Sequence, residues 1–156
     1  MKDVLVEQCG CSGVWAIGTG VVGRCTNVEV RECGQSGVRA ASDASITLVG
    51  AQTMVHHNCT NRYSKDYGLQ VMGTSSTIQL VSPLTKEQVA IDNSGGGNWG
   101  VAYGDVEKIK ITSPYEYAAA TFPSVAYRYW LIENIKYDKN ENEKRYMYRK
   151  TVAKKQ

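Results

Sequence analysis

The sequence predicts a mainly β fold, an antiparallel sandwich or distorted barrel carrying one short helix near 114–121. Three observations carry that expectation. Glycine is plentiful and Tyr, with ten residues, far outnumbers a single Phe, a composition that favours strands and turns. Short apolar or alternating runs recur about every ten residues through the first 81 positions, broken by Gly, Ser or Asn. Helix signals are sparse: one strong start and one weak one.

The predicted strands follow in order. They are Val4 to Val6, Val14 to Ile17, Val28 to Glu32, Ile46 to Val49, Thr53 to His57, Leu69 to Met72 and Thr77 to Val81. In Val28-Glu29-Val30-Arg31 the valines share one face and the charges the other, the pattern of a half-solvated strand. Ser82-Pro83-Leu84-Thr85-Lys86-Glu87-Gln88 predicts a single helical turn, and Asn93 to Asn98 a flexible glycine loop. A strand is expected around 105–112. Ser113-Pro114-Tyr115-Glu116 then offers a cap hydroxyl, a proline at the first helical position and a glutamate at the third, which is a capping box. Beyond it an aromatic run, Tyr127 to Tyr137, and a returning strand, Arg145 to Val152, complete the expected domain. No internal repeat is apparent at this level. At 156 residues the chain suits one β-rich domain over 1–152 with a polar basic tail at 153–156.

Several chemistries are set aside on local grounds. Gly18-x-Gly20-x-x-Gly23 has the letters of a dinucleotide fingerprint, but Arg24 to Val30 that follow are alternating and β-branched where the phosphate-binding helix should start. The glycines are therefore expected in tight turns or a bulge, and no cofactor is implied. Cys9-x-Cys11 and His57-x-Cys59 place soft ligands two apart on a strand and are the candidate zinc ligands, yet neither pair has knuckle spacing. A cysteine hydrolase would have to use His56 or His57, the only histidines. The five cysteines, an odd number without a recognisable export signal, are expected as free thiols in a cytoplasmic or virion setting. No apolar stretch reaches the roughly 20 residues that span a bilayer, so no membrane partner is expected.

What remains is an interaction protein. Tyr127, Tyr129, Trp130 and Tyr137 lie in one aromatic run and are the candidate interface residues. The net charge of +3 is uneven: residues 136–156 carry +5 and the rest −2. Arg145, Tyr146, Tyr148, Arg149, Lys150, Lys154 and Lys155 interleave cations with aromatic rings and so form a candidate single-strand nucleic-acid surface. The leading expectation is a structural or assembly protein that acts through contacts with other subunits, such as an accessory component of a bacteriophage head or tail. The alternative is a nucleic-acid-binding module using the C-terminal hairpin, and third an enzyme of unrecognised type.

Overall fold

Every strand pairing among the described residues is parallel, and this overturns the antiparallel sandwich or barrel. The architecture is that of a computed structural model in which residues 1–103 and 108–121 are described. Contacts divide the chain into two compact units, Met1–Ser113 and Pro114–Gln156.

The first unit contains β1 (Lys2–Glu7), β2 (Val14–Ile17), β3 (Val22–Arg31), β4 (Val38–Ala41), β5 (Ser45–Val49), β6 (Met54–His56), β7 (Leu69–Met72), β8 (Thr77–Val81), the one-turn helix α1 (Lys86–Val89), β9 (Ala90–Ile91), β10 (Trp99–Ala102) and β11 (Ile109–Thr112). Strands that follow one another in sequence lie in different sheets or different limbs of one sheet. Each pairs instead with its counterpart one turn later. One sheet runs β10-β7-β4-β2; the other runs β11-β8-β5-β3-β6-β9, with β1 also on β3. The long strand β3 bends between the two limbs of the second sheet: residues 22–26 pair with β5, whereas 26–31 pair with β1 and 29–31 with β6. The unit is thus a three-limbed parallel β-helix, in which the chain coils and each coil stacks on the last.

Side chains stack in register along this coil. Inward rows include Val14-Val38-Leu69-Trp99, Ala16-Ala40-Val71-Val101, Val6-Val30-Val55-Ala90 and Gly23-Ile46-Ile78-Ile109. Most of these residues belong to a single buried core. Corners stack too. Gly18, Ser42, Gly73 and Tyr103 follow four registered residues and all take positive φ; so do Gln8, Glu32, His57 and Asp92 at a second corner. A left-handed residue turns the chain sharply into the next limb, and non-glycine residues tolerate it here because the coils above and below fix the corner.

The pitch exposes a repeat that was not apparent from the sequence. One full coil advances 24 residues from Val14 to Val38. At that offset Cys9-Gly10 matches Cys33-Gly34, and Ser12-Gly13-Val14-x-Ala16 matches Ser36-Gly37-Val38-x-Ala40. Later coils are longer: 31 residues from Val38 to Leu69, because the loop before β7 is extended, and 30 from Leu69 to Trp99, where the segment carrying α1 lies between β8 and β9. α1, capped by the Thr85 hydroxyl accepting from Gln88 N, fills another corner. In the second unit the helix over 114–121 is α2 (Pro114–Thr121), with Glu116 in its first turn.

Candidate functional site

Two side-chain constellations stand out, one inside the coil and one at its first turn. Inside, Asn58 and Asn93 occupy the position just after the left-handed corner residues His57 and Asp92. Asn58 is fully buried. Its Nδ2 donates to the carbonyls of Val30 and His56, both at 2.9 Å, and its Oδ1 accepts from Cys33 N at 3.1 Å. Asn93 repeats the arrangement one coil on, donating to Val55 O at 2.9 Å and Ile91 O at 3.0 Å and accepting from Asn58 N at 3.1 Å. Asn98 ends the row by accepting from Asn93 N at 3.0 Å. Cys9 and Cys33 hold the same position in the first two coils, their sulfurs directed at the carbonyls of Glu7 and Arg31, again two residues back. The segment Asn93 to Asn98, expected to be a flexible loop, is tied down at Ser94, Gly96 and Gly97 by backbone bonds to Asn58, Asp66 and Gly68.

This arrangement is structural in character. Burial pushes the Cys59 thiol up to about 12, helped by the nearby Asp66 carboxylate, and the Cys33 thiol up to about 11. Neither is a nucleophile near neutrality. His57 is exposed and its Nδ1 lies 2.7 Å from His56 Nδ1, while His56 Nε2 meets Glu29 at 3.0 Å. Of the candidate zinc ligands, Cys9 is half-buried, Cys11 exposed and Cys59 buried. Among the described residues no three His, Cys, Asp or Glu side chains are arranged to hold a metal. The glycine fingerprint forms a turn closed by Val21 N donating to Gly18 O at 3.1 Å, with Gly18 and Gly20 at positive φ, and runs directly into β3.

The second constellation is the first coil's outward and end-facing surface. Among the described residues, β1 pairs only with β3, β2 only with β4, and residues 22–25 of β3 only with β5. Among the described residues, β1 and β2 therefore each present a ladder edge without a strand partner, whereas the third limb is partly covered, the Met1 amino group donating to Arg24 O at 2.6 Å and Thr26 N to Met1 O at 3.0 Å. The same coil carries Met1, Val4, Leu5, Trp15, Ile17, Val21 and Val22, seven of the twelve exposed large apolar side chains among the described residues. Trp15 is 53 % exposed, Ile17 52 % and Val22 60 %. One face of Trp15 is occupied by the Arg39 guanidinium, 5.4 Å from the ring centroid. In the second coil the outward positions of the N-terminal and C-terminal limbs are polar by contrast: Ser45 and Thr47 on β5, Glu29 and Arg31 on β3. Arg31 there bonds Glu7 at 2.6 Å and sits 3.7 Å from both Glu29 and Glu32.

The interface candidates Tyr127, Tyr129, Trp130 and Tyr137 and the nucleic-acid candidates Arg145, Tyr146, Tyr148, Arg149, Lys150, Lys154 and Lys155 lie outside the described residues. Sequence reasoning missed the first coil because Trp15 and Ile17 read as ordinary strand residues and Val22 fell within the glycine stretch expected to turn. The offset of 24 would have found it, since that offset aligns Trp15 with Arg39 and Ile17 with Ala41. No family model, curated protein or solved structure matches the chain. Among the described residues no helix is long and apolar enough to cross a membrane.

Proposed function

We propose that the chain is a structural, assembly-forming β-helix that works through protein contacts made by its first coil. The observation that carries this reading is the coincidence there of two strand edges, those of β1 and β2, that have no strand partner among the described residues with seven exposed large apolar side chains. Solenoids stay soluble when their terminal repeats are polar on the outside. Edge strands that are to remain unpaired are usually blunted by charge, proline or cover. The first coil has charge at Lys2, Asp3, Glu7 and Arg24, but β2 has none, and Val4, Leu5, Trp15, Ile17, Val21 and Val22 expose apolar surface between those charges.

The test is sedimentation of the whole protein at low and high salt, with and without a labelled single-stranded oligonucleotide. Apolar contacts and strand pairing are not screened, so a particle larger than the 17.2 kDa chain that persists in high salt supports the reading. A monomer that binds the oligonucleotide tightly and releases it as salt rises would overturn it in favour of the basic C-terminal segment.

A further inference from the structure

We infer that Cys9 and Cys33 form a disulfide site, an oxidation-driven staple that closes the first coil onto the second. The bond belongs to an oxidised form of a chain whose five thiols are otherwise free, and it does not depend on whether the first coil assembles with a partner.

Register brings the two side chains together. Glu7 stands opposite Arg31 at the end of the β1–β3 ladder, and the same offset continues past it: Gln8 N donates to Arg31 O at 3.2 Å and Gly34 N to Cys9 O at 2.7 Å. Cys9 therefore stacks on Cys33, with coil-to-coil backbone bonds on both sides. Neighbouring strands stand about 4.8 Å apart, inside the roughly 4.4–6.8 Å between Cα atoms that a disulfide spans. The glycine after each cysteine lets the two backbones close up, since a Cβ on Gly34 would collide with Gly10 O. Both sulfurs point the same way, each towards the carbonyl two residues back, Glu7 O at 3.8 Å and Arg31 O at 3.4 Å. Burial is the main reason that the Cys33 thiol is pushed up to about 11; the next influences on it are the backbone and the sulfur of Cys9, so the two thiols lie within reach of each other.

The later coils show what this joint lacks while the thiols are reduced. There the same column carries Asn58 and Asn93, whose side chains tie coil to coil: Asn58 Oδ1 accepts from Cys33 N at 3.1 Å, and Asn58 Nδ2 donates to Asn93 Oδ1 at 3.0 Å. The joint between Cys9 and Cys33 has no amide in this column, and a disulfide would supply the link.

The chemistry is thiol–disulfide exchange with a small disulfide such as glutathione disulfide. Cys9, the more accessible of the pair, attacks as thiolate one sulfur of the oxidant, forming a mixed disulfide and expelling one glutathione thiolate. Cys33 Sγ, its proton passing to water, then attacks the Cys9 sulfur and expels the second. Two protein thiols become one disulfide, and one glutathione disulfide is reduced to two glutathione thiols. Burial of Cys33 makes the second step slow near neutrality and faster as pH rises toward 11. The ring so closed contains β2 and β3, and the unfolded chain loses the freedom of that segment.

The experiment treats the native full chain carrying Cys11→Ser with glutathione disulfide at about pH 9. Cys11 is exposed, so the substitution removes a competing thiol without touching the core. The intact mass should fall by two hydrogen atoms, and trypsin should release the peptide Asp3–Arg24 joined to Glu32–Arg39, a linkage that dithiothreitol undoes. The urea midpoint of the oxidised protein should lie about 1 M or more above that of the reduced one. Cys9→Ser in the same background should show neither the linkage nor the rise. Oxidation that stops at a glutathione adduct on Cys9, a bond that joins Glu32–Arg39 to Ala40–Arg62 through Cys59, or a link between two molecules overturns the site. Thiols that all persist under the oxidant, or that pair only after urea has unfolded the chain, overturn it too. A Cys9–Cys33 bond that leaves the urea midpoint unchanged overturns the staple.

Discussion

Replacing Asn58 with alanine tests whether the coil is held by its internal row of amides as much as by apolar stacking. The side chain is fully buried and joins three segments, through Nδ2 to Val30 O and His56 O and through Oδ1 to Cys33 N. Each such neutral bond contributes about 0.5–1.5 kcal/mol net, and a buried group left without a partner costs about 1–3 kcal/mol. Truncation removes these three bonds and a fourth, from Nδ2 to Asn93 Oδ1 at 3.0 Å, and leaves the Cys33 N–H and the Val30 carbonyl in a dry interior. The sum is about 3–5 kcal/mol, a large share of the stability of a domain of this size. Urea unfolding followed by far-ultraviolet circular dichroism and tryptophan fluorescence measures it directly, with the slope checked for constancy. Asn58→Cys provides an internal standard, because cysteine holds the equivalent place in the first two coils. It should keep the packing, lose the acceptor for Cys33 N, and fall between the wild type and Asn58→Ala. A loss under 1 kcal/mol for Asn58→Ala would refute the reasoning and leave the amide row a passenger of the core.

Further outcomes follow from the same geometry. Gly37→Ala should destabilise by several kcal/mol in the same urea assay, because a Cβ there would collide with Val55 Cγ1 and with Asn58 Nδ2. Thiol labelling of the native protein, followed by mass spectrometry, should modify exposed Cys11 first and half-buried Cys9 more slowly. Cys25, Cys33 and Cys59 should react only on unfolding. Stability should also fall in alkali. The folded-state thiols of Cys33 and Cys59 are raised to about 11 and about 12 by burial, so the unfolded chain loses these protons first. Their contribution is complete below about pH 9 and is lost as pH rises toward 11–12. Cys33→Ala/Cys59→Ala should flatten the dependence of the urea midpoint on pH above 9, and an unchanged slope would refute the attribution.

Much of the local structure was legible, and the reason is physical. Leu69–Met72 and Thr77–Val81 are strands with the expected bounds, and Val28 and Val30 share the buried side. Alternation reports which side of a strand is dry, and it does so whichever way the neighbour runs. Strand direction is set by something else: whether the connection turns back along the same sheet or crosses to another. The connections here are short, as hairpins are, but left-handed corner residues such as Gly18 and Ser42 steer the chain onto a new limb. Composition carries no trace of that. The periodic signal that does, Cys-Gly-x-Ser-Gly-Val-x-Ala at an offset of 24, spans only two coils before the longer loop of the third coil breaks the spacing. The free edges of the first coil were illegible for the same reason, since an edge is defined by the partner a strand lacks.

The direction of the ladder bonds also settles how the first unit should respond to force. Neighbouring coils are joined by rows of hydrogen bonds that run along the coil axis, each coil touching mainly the next. Tension applied at Met1 loads those rows one bond at a time, as in a zip, instead of shearing a whole row together. Peeling β1, β2 and residues 22–25 of β3 from their partners frees one coil's length of chain, 24 residues, and pays out about 80 Å of extended chain. The second detachment should come at higher tension, because it must break the bonds that the Asn58 side chain makes to Cys33 and Val30 as well as the backbone rows. The stack of amides thus acts as a mechanical stop, placed one coil in from the end that is pulled.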